Sequence, residues 1–150
     1  MGTRHRGTKE EITALNTYIK LLRAADSVTT RVHRHHKEEK LTLSQFGVLE
    51  ALFHLGSMVQ RDLARKLLVT GGNITMVVDN LEKRNLVIRE RDENDRRFIN
   101  VHLTDKGLEV IRRIFPDHAK EIAAEMKTLT HDEQDTLGRL CRKLGKKDTL

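Results

Sequence analysis

One cysteine, one proline, one tyrosine, no tryptophan and four phenylalanines occur in 150 residues. A lone cysteine closes no disulfide within the chain, which excludes the small secreted domains held together by such bonds. A lone proline, Pro116, leaves long helices free to form on either side of it, although it should kink or break the one that contains it. No apolar run approaches the roughly 18 residues of a membrane-crossing helix, and no secretory leader is legible, so a cytoplasmic protein is expected. Hydrophobic residues make up 37% of the chain, enough for a core but a lean one that would gain from being shared between two subunits. Lys and Arg number 28 against 22 Asp and Glu, a net charge of +6 that favours a polyanionic partner. The basic excess is spread along the chain, so any footprint on such a partner has to be assembled by the fold.

What is present is most informative between Leu63 and Leu103. Ile74, Val77, Val78 and Leu81 recur at i, i+3, i+4 and i+7, the stripe of an amphipathic helix. Its other face carries Asn73, Thr75, Met76, Asn80 and Lys83; Thr70 is a candidate N-cap, and Gly71 and Gly72 would let a phosphate approach the helix start. A shorter helix over about Gln60 to Leu68 supplies Leu63, Ala64 and Leu67, with Ala64 small enough for two helices to cross closely. This pair has the form of a helix-turn-helix. Asn85 can take the left-handed conformation that ends a helix, and the pattern then alternates. Leu86 to Arg89 and Phe98 to Leu103 read as two strands, with Ile99, Val101 and Leu103 on one face and Asp92-Glu93-Asn94-Asp95 as the turn. Arg89, Arg91, Arg96 and Arg97 are expected to cluster toward the tip of this hairpin, where arginines suit the negative potential of a DNA minor groove.

Leu63-Ala64, Ile74-Thr75, Val78-Asp79-Asn80-Leu81-Glu82-Lys83, Leu86-Val87, Asp95-Arg96-Arg97 and Leu103-Thr104-Asp105-Lys106-Gly107 together resemble the signature of the MarR family of bacterial transcriptional regulators. The departure is Asn85, where that family commonly has glycine; the two residues share access to the left-handed region. The resemblance implies a homodimer on double-stranded, pseudo-palindromic operator DNA, with one reading helix per subunit in successive major grooves. It further implies that Arg97 enters the minor groove and that Asp95 holds it in place.

The flanks read as helices. Residues 1–8 are basic and polar, expected to be a flexible arm. Ile12, Leu15, Ile19 and Leu22 form a seam on the next helix. Thr42-Leu43-Ser44-Gln45 is a capping box ahead of Phe46, Leu49, Leu52 and Phe53, with Gly56 as the stop. Thr104 can cap a helix through Leu108, Ile111 and Phe115, and Thr130 to Glu133 opens another carrying Leu137, Leu140, Cys141 and Leu144, with Gly145 at its end. The expected fold is mainly α with a small β-hairpin wing. Residues 41–103 would form the winged helix-turn-helix, and 9–40 with 104–150 the dimerisation helices.

Three groups of residues were weighed for chemistry. His33, His35 and His36 have spacing compatible with a metal, but a closed site would need Glu38, Glu39, His118 or another subunit. Cys141, on an apolar face, is expected to be buried and inert. Ser27, Ser44 and Ser57 are expected to lack adjacent bases, there is no phosphate loop or zinc-hydrolase helix, and neither an enzyme nor a resident cofactor is expected. The resemblance implies a small-molecule effector site, for which the chain offers His33, His36, Phe46, Phe53, Ile111 and Phe115. The run Ile114-Phe115-Pro116-Asp117-His118 resembles the branch of the family that responds to quinones and other phenolic compounds. A repressor released by such a ligand is the expected function. The alternatives are a metal-responsive regulator of the same fold and a helical interaction module that does not bind DNA.

Overall fold

The computed structural model describes residues 2–34, 39–67 and 71–146. It divides into two compact units, His33–His118 and Met1–Val32 with Ala119–Leu150.

The first unit is built around α2 (Leu43–Leu55), α3 (Gln60–Lys66), α4 (Gly71–Lys83) and a sheet of β1 (Met58–Val59), β2 (Val87–Arg91) and β3 (Ile99–Leu103). α2 opens with the expected capping box: Gln45 N donates to Thr42 Oγ1 at 3.1 Å and Thr42 N donates to Gln45 Oε1 at 3.0 Å. It closes on Gly56, whose φ of 80° lies where a side chain would be strained. α3 ends at Lys66, and Leu68, the expected last residue, lies outside the described residues. Phe46, Val48, Leu49, Leu63, Ile74, Val78 and Leu81 are buried together with Leu86, Val87, Val101 and Ile111. One face each of α2, α3 and α4 therefore makes a common core with the sheet and with the start of α5 (Asp105–Met126).

The wing is the antiparallel pair β2 and β3, in register from Val87 opposite Leu103 to Arg91 opposite Ile99. The second strand begins and ends within a residue of the expected span. β1, which pairs with β3 through Met58 opposite Val101, was not legible because two residues are too short to show alternation. Asn85 has φ 56° and closes α4 as a Schellman turn: Leu86 N donates to Leu81 O at 3.0 Å, and Asn85 N to Glu82 O at 2.9 Å. The wing then returns to this turn. Thr104 N donates to Leu86 O at 3.1 Å, its Oγ1 donates to Asn85 O at 2.6 Å, and that same hydroxyl caps α5 by accepting from Gly107 N at 2.9 Å.

α5 runs unbroken through Pro116, so the break considered at that position does not occur. Proline there removes one backbone donor, yet the helix is held on its inner side by buried Ile111 and His118 and half-buried Phe115.

The second unit holds the body of α1 (Lys9–His33), the end of α5, and α6 (His131–Gly145). The segment before α1, expected to be a flexible arm, is tied down by Thr3 N donating to Asn16 Oδ1 at 2.6 Å. Arg31 Nε donates to Glu125 Oε2 at 2.7 Å, and Thr130 and Glu133 form the second expected capping box. Leu15, Tyr18 and Leu22 on α1 and Leu137, Leu140 and Leu144 on α6 are exposed. Cys141 is also exposed, which corrects its expected burial: α6 has no buried residue in the single chain. Among the described residues no helix is long and apolar enough to cross a membrane.

Candidate nucleic-acid interface

α4 is two-faced. Ile74, Val78 and Leu81 are buried, whereas Gly71, Gly72, Asn73, Thr75, Met76, Asn80 and Lys83 are exposed. A Cβ added at either glycine would meet nothing within 4 Å, so the first turn of α4, where the helix dipole is positive, is not crowded at these two positions by the described residues. Thr70, expected as its N-cap, lies outside the described residues. α3 steadies this end of α4: Gln60 Nε2 donates to Thr75 Oγ1 at 3.1 Å, and Thr75 Oγ1 donates to Gly71 O at 3.0 Å. Gln60 carried no sequence signal, because its role depends on a contact 15 residues away.

The wing arginines divide into two sets. Arg97 is 86% exposed at the side chain and gripped by Asp95: Nη2 donates to Oδ2 at 2.7 Å, and Nε to Oδ1 at 3.0 Å. The Arg97 backbone N–H also donates to Asp95 Oδ1 at 3.1 Å, so side chain and main chain are fixed together. These bonds, the side-chain ones foremost, hold the Asp95 carboxyl below the ordinary aspartate range. Asp92 shapes the turn by accepting from the backbone N–H groups of Asn94 and Asp95 and from Asn100 Nδ2. Arg91 Nη1 donates to Arg96 O at 2.9 Å, which keeps Arg91 and Arg96 at the tip with Arg97.

Arg89 belongs elsewhere. It does not join the tip as expected but reaches back to α4, where its Nη2 lies 2.5 Å from Asp79 Oδ1 and donates to Glu82 Oε1 at 3.1 Å. Its backbone N–H donates to Glu82 Oε2 at 2.9 Å. The reason is its place midway along β2, opposite Val101 and within reach of Asp79 and Glu82 on α4. The Arg89 bonds, side chain first and backbone second, hold the Glu82 carboxyl below its ordinary value, and Glu82 in turn raises the Arg89 guanidinium. Arg89 thus braces the wing against the helix. A second brace, missed in the sequence, is Arg61 of α3, whose guanidinium carbon sits 4.9 Å from the Phe98 ring centroid. Between α3, the start of α4 and the wing lies an open groove of about 600 Å³ lined by Arg61, Arg65, Ile74, Arg97 and Phe98.

The chain has counterparts among known proteins. The model of the MarR family matches residues 41–99. The transcriptional regulator YkoM of Bacillus subtilis is 39% identical over 132 residues, covering 88% of this chain and 86% of YkoM. MhqR, another transcriptional regulator of that organism, is 34% identical over 88% of this chain and 91% of its own length. The chain belongs to the MarR family. A solved structure of Bordetella bronchiseptica BpsR, a protein whose DNA binding is regulated by 6-hydroxynicotinic acid, is 27% identical, with a TM-score of 0.77 over 85% of this chain and 91% of BpsR. Fold and family agree that this is a winged-helix transcriptional regulator of the DNA-binding kind, and its relatives are regulators rather than enzymes.

Within this MarR-family fold the expected effector residues are placed as follows. Phe46 and Ile111 are core residues, and Phe53 and Phe115 pack against that core. Phe115 also meets His54 at 4.5 Å and His118 at 6.0 Å between ring centroids, and Phe46 meets His118 at 4.4 Å. The aromatic cluster therefore gains His54 and His118, neither of which was among the expected effector residues. His33 is half-buried at the end of α1, and His35, His36 and Glu38 lie outside the described residues. Among the described residues no group of three or more His, Cys, Asp or Glu is disposed to hold a metal. Glu39, weighed as a metal ligand, is instead bonded to Arg113 Nη2 at 2.5 Å.

One expectation about serine needs correcting. Ser57 does have a base beside it: its Oγ lies 2.7 Å from His102 Nδ1, and His102 Nε2 lies 3.5 Å from Glu90 Oε2. The pairing of Met58 with Val101 brings residues 57 and 102 opposite each other, although they are 45 positions apart. This row lies on the exposed sheet surface, where it links β1, β3 and β2.

Proposed function

We propose that the chain is a cytoplasmic, homodimeric repressor that binds a pseudo-palindromic operator and is released by a small hydroxylated aromatic ligand. The observation that carries the DNA part is the bidentate Asp95–Arg97 pair on a protruding wing. An isolated arginine of that exposure would lose side-chain entropy on docking; one already held in a fork loses less. α4 would lie in the major groove with Gly71, Gly72, Asn73, Thr75, Met76 and Asn80 toward the DNA. Thr70 would join them at the helix start. Arg91, Arg96 and Arg97 would follow the backbone into the neighbouring minor groove, and Arg89 would act through the position of the wing. The exposed leucines of α6 and the apolar face of α1 support a two-fold partner, which spaces two reading helices one DNA turn apart.

For the ligand, the support is the cluster of Phe46, Phe53, His54, Phe115 and His118, aromatic and imidazole rings of the kind that pack on hydroxylated aromatics. His33, His36 and Ile111 would complete the recess. The regulation of BpsR by 6-hydroxynicotinic acid makes hydroxylated aromatics the first class to screen. The purified chain should select one palindromic sequence from a random duplex pool and protect two half-sites from hydroxyl radicals. A member of a panel of phenols, quinones and hydroxylated pyridine carboxylates should release it. Uniform, salt-driven binding to every duplex would overturn the operator reading, and an unchanged affinity across the panel would overturn the ligand reading.

A further inference from the structure

The hydrogen bonds around Thr75 decide what that residue can still offer a partner. A hydroxyl has one proton and two lone pairs. The Thr75 proton is given to Gly71 O at 3.0 Å, and one lone pair is taken by Gln60 Nε2 at 3.1 Å. The Gln60 contact comes from a different helix, so it fixes the side-chain rotamer in addition to satisfying the hydroxyl. The Thr75 side chain is nevertheless exposed, on the same helix as exposed Met76 and Asn80. With its donor spent and one lone pair taken, its γ-methyl is the largest group left for specific contact.

From this we infer that Thr75 is a specificity-determining residue that recognises the C5-methyl group of a thymine in the major groove by apolar contact, and does not read a base by donating a hydrogen bond. The inference rests on the proposal that α4 is the reading helix. Thymine is the one standard DNA base that presents a methyl group in the major groove, and threonine methyls are suited to contact it. Thr75 is the fifth residue of α4, within the N-terminal part that such helices turn toward base edges. Gln60 is then a positioning residue: by holding the hydroxyl it leaves the methyl for the contact.

The test uses the duplex that the full chain selects from a random pool, with each thymine replaced in turn by uracil, which lacks only the methyl group. Replacement at one thymine per half-site should weaken binding about fourfold per half-site, the cost of one buried methyl. Thr75→Ser keeps the hydroxyl and removes the methyl, so it should bind the parent duplex about as weakly as the parent chain binds the uracil duplex, and be indifferent to that uracil. Thr75→Val keeps a methyl and should stay sensitive to it. Melting curves of both variants establish that they remain folded. The inference is overturned if no uracil weakens binding, if Thr75→Ser remains as sensitive to uracil as the parent, or if Thr75→Val loses operator preference while Thr75→Ser keeps it. Failure of the reading-helix proposal itself looks different: Asn73→Ala, Asn80→Ala and Thr75→Ser would then all leave selectivity intact.

Discussion

At the scale of single residues, Arg97 and Asp95 are opposite in charge but joined in geometry, and that distinction can be measured. Arg97→Ala should weaken operator binding roughly tenfold or more and flatten the preference at base pairs flanking each half-site. Asp95→Ala removes a negative charge from a surface meant for DNA, so simple electrostatics would have it bind more tightly. It should bind more weakly, because the loosened arginine must then be ordered on docking. Lys83, on the last turn of α4, is a control: Lys83→Ala should weaken all duplexes alike and slightly lower the salt dependence. Competition between the selected and a scrambled duplex at several salt concentrations separates the three, and an Asp95→Ala chain that bound the operator better would remove the wing from the interface. The same pair predicts a titration. Because Asp95 has a lowered pKa when folded, its contribution is complete above the ordinary aspartate value and is lost only as pH falls through the lowered one. Carbon-13 NMR should place the Asp95 midpoint below the usual range. In Arg97→Ala it should move upward but stay somewhat low, since the residue-97 backbone N–H still donates.

At the scale of elements, the joint between the wing and α5 shows why some of the pattern was legible and some was not. Thr104 and Gly107 stand out as a cap and a small residue, and the structure supplies the cause: a Cβ on Gly107 would lie 2.0 Å from Leu86 O and 2.9 Å from Leu86 C. Backbone cannot yield there as a side-chain tip could. Gly107→Ala should therefore cost on the order of 1–3 kcal/mol of stability in urea unfolding, the range for overpacking, and a melt unchanged within error would mean that α5 shifts freely. Capping boxes at Thr42 and Thr130, the Asn85 turn and the strand pairing were legible because each is local, written within a few residues of sequence. The braces were not. Arg89 to Asp79 and Glu82, Arg61 to Phe98, and Gln60 to Thr75 join different elements; Arg89 reads in sequence as one more arginine of the wing tip, and Arg61 and Gln60 carry no signal. Ser57 and His102 were missed for the same reason, being neighbours only through the β1–β3 register. Pro116 erred in the other direction: the local rule favours disruption, and packing along α5 overrides its strongest form.

At the scale of the whole molecule, most of the exposed large hydrophobic residues lie on the terminal helices. Leu137, Leu140 and Leu144 are 41%, 50% and 57% exposed, spaced three and four apart on one face of a helix whose other side is charged. A monomer would leave that stripe in water, at a cost proportional to its area. Two copies related by a two-fold axis would cover it isologously, each stripe meeting its equivalent. Leu140→Glu should therefore disfavour association, because a carboxylate would be desolvated at the seam with its symmetry mate close by. It should do so without unfolding the chain, since residue 140 is exposed in the single chain and contributes to no core. The decisive comparison is between assembly and affinity in one sample series. Analytical ultracentrifugation should show the parent as a dimer and Leu140→Glu as a folded monomer, and operator affinity should collapse at the same concentrations where the dimer is lost. Binding to a single half-site, already weak, should change little, because the reading helix and wing remain whole. A Leu140→Glu chain that sedimented as a dimer would place the seam on the Leu15, Tyr18 and Leu22 face of α1, whereas a monomer that kept full operator affinity would mean that DNA recognition needs only one subunit.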